Sequence, residues 1–140
     1  MSTKIKDIMS RDLHVVSPDD SLQDAAKQMR SHDVGFLPVV DGQRLVGALT
    51  DRDIAVRAVA EGNDPRKTKV KDFASQDVAW CYDDQTPDEA AKMMKDKEVR
   101  RVMVVDHDTR QLVGVVSVGD LATKDSSKSS GSVMEKTGPK

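Results

Sequence analysis

This chain writes the same pattern twice, and that repetition limits its possible folds more than any other feature. Lys4-Ile5-Lys6-Asp7-Ile8-Met9-Ser10 returns 65 positions later as Lys69-Val70-Lys71-Asp72-Phe73-Ala74-Ser75. The same offset of 65 carries Ala25-Ala26-Lys27 onto Ala90-Ala91-Lys92, Met29 onto Met94, and Val39-Val40-Asp41 onto Val104-Val105-Asp106. Two residues then enter the second copy, and an offset of 67 carries Leu45-Val46-Gly47 onto Leu112-Val113-Gly114, Thr50 onto Ser117 and Asp53 onto Asp120. The insertion falls between two apolar runs, where a loop absorbs it.

Each copy has the same local grammar. Ser21 followed by Asp24, and Thr86 followed by Glu89, have capping-box spacing, and Pro87 suits a first helical position. Leu22, Ala25, Ala26 and Met29 fall on one helical face, as do Ala90, Ala91 and Met94. Two short β-branched runs follow and read as a hairpin: FLPVV and LVGAL in the first copy, RVMVV and LVGVV in the second. Extended pieces, LHVVS and VAWCY, precede the helices. A further helix is expected from Thr50 through Ile54, Ala55, Ala58 and Val59 to a C′ residue at Gly62. The expected class is therefore α+β, with two β-α-β-β-α repeats at 4–62 and 69–124, a linker at 63–68 and a mobile polar tail at 125–140. A domain of about 60 residues is marginal alone. Two copies are expected to cover each other's apolar sheet faces as a pseudo-twofold pair with a cleft between the halves.

The hydroxyl and acid of Thr50-x-x-Asp53 and Ser117-x-x-Asp120 admit two readings. Capping alone accounts for either one. Repetition at the first turn of a helix leaving a hairpin adds a second account. A helix N-terminus favours phosphate, a hydroxyl there can donate to a phosphate oxygen, and an Asp can accept from the vicinal hydroxyls of a ribose. Arg52 adds a cation at the first corner, where the second copy has Gly119, so the two corners are expected to differ. A base needs an apolar slot. Val16, Ser17, Phe36, Leu37 and Pro38 are candidates to line one, and Cys81, Tyr82, Val102 and Met103 the other. Arg100 and Arg101 are candidate phosphate contacts.

Other features exclude more than they assign. One third of the residues are charged but the net charge is only −2, which offers no basic excess for nucleic acid. Cys81 is the single cysteine, and His14, His32 and His107 lack metal-ligand spacing, so no metal is expected. The opening residues carry no long apolar stretch, so no membrane span is expected and a cytoplasmic location is the default. No P-loop or nucleophile–base arrangement points to a catalytic residue.

Taken together, DIMS…VVSPDDSLQDAAKQM…GFLPVVDGQRLVGALTDRDI and DFAS…DEAAKMM…VRRVMVVDHDTRQLVGVVSVGDL resemble two consecutive CBS (cystathionine β-synthase) domains, a Bateman module. The resemblance spans residues 4 to about 123. It implies a non-catalytic sensor that binds AMP, ATP, NAD or S-adenosylmethionine as a regulatory ligand in the cleft, with no obligatory cofactor. The phosphate role falls on Thr50 and Ser117 and the ribose role on Asp53 and Asp120. It also implies a homodimer that regulates a protein supplied in trans. Met103 stands where the family usually has proline. The competing readings are a scaffold with empty clefts and, further off, a nucleotide hydrolase.

Overall fold

The helices begin at the residues that cap them. In the computed structural model, which describes residues 3–124, Ser21 Oγ accepts the Asp24 N–H at 3.0 Å and opens α2 (Leu22–His32). Thr86 opens α3 (Pro87–Lys97), and Glu89 accepts the Thr86 N–H in return at 3.0 Å. Both helices end on a left-handed residue, Asp33 at φ 54° and Glu98 at φ 55°. Their buried faces are Leu22, Ala25 and Met29 on one and Ala90, Ala91 and Met94 on the other; Ala26, expected on the first face, is exposed, because it lies at the edge of that stripe. The tail expected at 125–140 lies outside the described residues.

The hairpins form where the β-branched runs place them: β1 (Phe36–Asp41) with β2 (Arg44–Thr50), and β4 (Arg101–Val105) with β5 (Leu112–Ser117). Each carries a bulge at the same repeat position, Val39/Val40 and Val104/Val105. In the second repeat β3 (Trp80–Tyr82) runs parallel to β4 and gives the order β3-β4-β5. In the first repeat the equivalent segment shrinks to one bridge, Val16 with Val39. The proline position explains the difference. The Met103 N–H donates to the Ala79 carbonyl at 2.9 Å, whereas its counterpart Pro38 has no N–H to give.

The helix expected from Thr50 is π-helical over Asp53–Val59. The Asn63 N–H and side-chain amide both donate to the Ala58 carbonyl, at 3.0 and 3.3 Å, and this five-residue reach closes the wide turns. Gly62 sits just before, at φ 83°. After β5 the counterpart is α4 (Val118–Lys124).

The chain forms two compact units, and they are not drawn along the sequence repeats. One is 14–78; the other joins residues 3–13 to residues 79–124 among the described residues. The duplicated leaders change places. α1 (Ile5–Ile8) lies in the second unit, where Ile5 donates to Gln85 O at 2.8 Å and Lys6 to Asp83 O at 3.0 Å. The 3₁₀ turn Val70–Asp72 repeats this in the first unit, with Val70 donating to Asp20 O at 2.8 Å and Lys71 to Pro18 O at 3.0 Å. Ser10 bridges Val115, and Ser75 bridges Ala48. Each unit therefore has its own core, with Ile5 and Ile8 buried beside Val102, Val116 and Leu121, and Val70 and Phe73 beside Leu22, Leu37 and Leu49. No helix among the described residues is long and apolar enough to cross a membrane.

Candidate ligand-binding corners

Thr50 ends β2 and Ser117 ends β5, so each hydroxyl stands where a strand hands over to a helix. At the first corner the Asp53 N–H donates to Thr50 Oγ1 at 3.1 Å, and the Thr50 N–H donates to Asp53 Oδ2 at 2.9 Å. At the second the Asp120 N–H donates to Ser117 Oγ at 3.1 Å, and the Ser117 N–H donates to Asp120 Oδ2 at 2.9 Å. Both are complete capping boxes with Asp as the returning acid. Each carboxylate oxygen has two lone pairs, so one N–H bond leaves acceptor capacity for a diol. All four side chains are half-buried, which limits competition from water without enclosing the groups.

The surroundings differ as expected, and by more residues than Arg52 and Gly119. The first corner has Gly35 where the second has Arg100, and Asp51 where the second has Val118. The main-chain contact is the same in both: Asp51 donates to Gly35 O at 2.9 Å and Val118 to Arg100 O at 3.0 Å. A Cβ on Gly35 would stand 2.7 Å from Asp51 Oδ2, so glycine makes room for that carboxylate. At Gly119 a Cβ would meet nothing nearer than Ser117 Oγ at 3.6 Å, so the second corner is open to the backbone there. Cationic charge also enters from different places. Arg52 is exposed on the helix of the first corner, while Arg100 and Arg101 lie at the start of β4 in the second.

The base-slot candidates divide. Val16, Leu37, Cys81 and Val102 are buried members of the two cores. Pro38 and Met103 are also buried, but as their strands alternate they lie on the opposite sheet face from Leu37 and Val102. Phe36 is half-buried at the start of β1, and Ser17 is exposed, its N–H held by Asp20 Oδ2 at 2.8 Å. Tyr82 is engaged by its own hairpin loop. His107 stacks on its ring at 4.2 Å, the Arg110 guanidinium lies 4.9 Å from the ring centre, and Arg110 donates to the phenol oxygen. His107 Nδ1 lies 2.7 Å from Asp84 Oδ2, and this bond holds the Asp84 carboxyl below the usual carboxylate range.

Sequence reasoning missed Arg57, whose Nη1 lies 3.3 Å from Asp53 Oδ1. The four-residue spacing from Asp53 was the available signal. The stack of His14 on His32 at 3.6 Å had no signal in the spacing. Among the described residues no group of three or more His, Cys, Asp or Glu side chains is arranged to hold a metal ion.

Comparison with known proteins is decisive for the family. The sequence matches the CBS domain profile over residues 5–59 and again over 70–127. The chain is a tandem CBS pair. Stand-alone CBS-pair proteins are generally regulatory and non-catalytic. A similar relative is the CBS domain-containing protein YhcV of Bacillus subtilis, 38% identical over 133 residues, which are 94% of this chain and 93% of that protein. Hypoxic response protein 1 of Mycobacterium tuberculosis is 36% identical over 121 residues, covering 86% of this chain and 83% of that one. The crystal structure of Hypoxic Response Protein I with two coordinated zinc ions has a TM-score of 0.77 at 35% identity, covering 87% of this chain and 98% of that chain. The CBS domain pair of protein MJ0100, in complex with 5′-methylthioadenosine and S-adenosyl-L-methionine, has a TM-score of 0.70 at 32% identity, covering 87% and 94%.

Proposed function

We propose that this CBS pair is a sensor that binds an adenosyl ligand of the AMP, ATP, NAD or S-adenosylmethionine class at its hydroxyl–acid corners. One observation carries the reading: the same reciprocal Thr50/Asp53 and Ser117/Asp120 geometry stands at the strand-to-helix step of both repeats. The Asp carboxylates accept the ribose hydroxyls, and Thr50 and Ser117 meet the phosphate or its equivalent. Arg52 supplies the cation at the first corner, and Arg100 and Arg101 at the second. Phe36, Ser17, Met103 and Tyr82, with their neighbours on the same strands, contribute to the base slot. The MJ0100 complex supports the ligand class, because that similar pair holds two adenosyl compounds. The CBS pair works as a homodimer in the cytoplasm, where adenylates are in solution, and its conformational response is read by a partner protein. Such a response is limited by the ligand's differential affinity for the two states.

Calorimetry with AMP, ATP, NAD and S-adenosylmethionine tests this. We expect dissociation constants of roughly micromolar to millimolar for at least one of them. Asp53→Ala or Asp120→Ala should weaken binding at the altered corner about 10-fold to 100-fold, the loss of charge-assisted hydrogen bonds. Each should also cost about 1 kcal/mol of stability through the lost cap. Unchanged affinity in both single variants and in the double variant overturns the reading. The completeness of the two capping boxes favours a second account, a scaffold whose corners only start helices. That account expects the same stability loss and no thermal shift with any of the four compounds.

A further inference from the structure

The 14–78 unit contains a connection between its corner and the leader of the second repeat. Arg57 lies one turn beyond Asp53, and its Nη1 is 3.3 Å from Asp53 Oδ1 and 3.1 Å from the Phe73 carbonyl oxygen. The same guanidinium lies 5.4 Å from the centre of the Phe73 ring. Phe73 is buried, and the main chain after it is fixed in place. The Ala74 N–H donates to Val70 O at 2.9 Å, and Ser75 exchanges hydrogen bonds of 2.8 and 2.9 Å with Ala48. One nitrogen therefore joins the corner's carboxylate to the leader that begins the second repeat. In the other unit Ile8 stands at the position of Phe73. An isoleucine offers no ring for a cation.

We propose that Arg57 is a coupling strap, which makes the state of the Asp53 carboxylate felt at residues 70–75. The coupling stands on the observed contacts; that an adenylate triggers it rests on the proposed function above. Hydroxyls donating to Asp53 draw its charge away from Arg57. Half of the Arg57 side-chain surface is exposed, so the guanidinium can swing toward the ligand's phosphate. The Phe73 carbonyl then loses a charged donor and the leader loosens. Linkage makes the effect reciprocal: whatever pulls Phe73 away changes ligand affinity by the same factor.

Amide hydrogen exchange at Ala74 and Ser75 decides the matter without ligand, in the wild type, Asp53→Asn, Arg57→Gln, the double variant and Arg57→Lys. Each of the first two substitutions should speed exchange at both amides about twofold to tenfold. The double variant should be no faster than Arg57→Gln alone, and Arg57→Lys should restore part of the protection. A double variant whose acceleration is the product of the two single factors overturns the strap. With saturating AMP, Ala74 and Ser75 should exchange faster in the wild type and not respond in Arg57→Gln, while the Asp53 amide responds in both. AMP that alters the Asp53 amide of the wild type but leaves Ala74 and Ser75 unmoved also overturns it. AMP that alters no amide counts against the nucleotide reading alone, and the ligand-free cycle still decides the strap.

Discussion

Asp53 and Asp120 each serve a helix by returning a carboxylate to the cap, and the proposed function gives the same carboxylates a ligand as well. Each returns one oxygen to the backbone of its own cap, so the carboxylate is already oriented before anything binds. The capping box was legible from the spacing alone. What surrounds each acid was not, because Arg57 at the first corner and Arg100 near the second arrive from different elements. Cys81 illustrates a clearer case. The sequence offered it as a candidate to line a base slot, and it is a buried core residue of the second unit. Burial, and after it the Glu89 carboxylate, push the thiol from 9.0 up to about 11. The unfolded thiol therefore loses its proton first, and folding stability falls as pH rises from 9.0 to about 11. The expected loss is ~2 kcal/mol over that window. Thermal melts should show a steeper alkaline decline for the wild type than for Cys81→Ala, and parallel declines would refute the assignment.

At the scale of elements, the hairpins, α2 and α3 were readable because caps, turn residues and β-branched runs are local signals. Two features were not. The expected extended piece at VAWCY forms β3 but that at LHVVS shrinks to one bridge, because Met103 has an N–H that Pro38 lacks, and this matters only once the neighbouring segment is in place. The glycines of the two LVG runs depend on the exchanged leaders. A Cβ on Gly47 would stand 2.7 Å from Ser75 O, and one on Gly114 2.9 Å from Ser10 O and 2.5 Å from Met9 Sδ. The methionine can move aside; the carbonyls are held by Ala48 and Val115. Gly47→Ala and Gly114→Ala should each destabilise by about 1–3 kcal/mol through overpacking. Urea denaturation of the two variants measures this, and midpoints equal to the wild type's would show that the leaders yield readily.

For the whole molecule, the 65-residue and 67-residue offsets made the duplication and the α+β class plain from the sequence. They could not show the exchange of leaders, because a repeat looks the same whether its first residues pack on their own copy or on the other. Residues 3–13 place Ile5 and Ile8 in the core of the unit that begins at Ala79. Deleting residues 1–13 should therefore strip protection from amides in 80–124 far more than from those in 14–78. Hydrogen exchange on the truncated chain checks this, and equal loss in both stretches would contradict the exchange. The crossed leaders also bear on ancestry. A half-length precursor carrying one repeat would have had no second leader in its own chain to close its core, so it would have been completed by another molecule of itself. Fusion of two such genes would then have turned an obligate pairing between chains into a covalent one, with each half still finished by the other's opening residues.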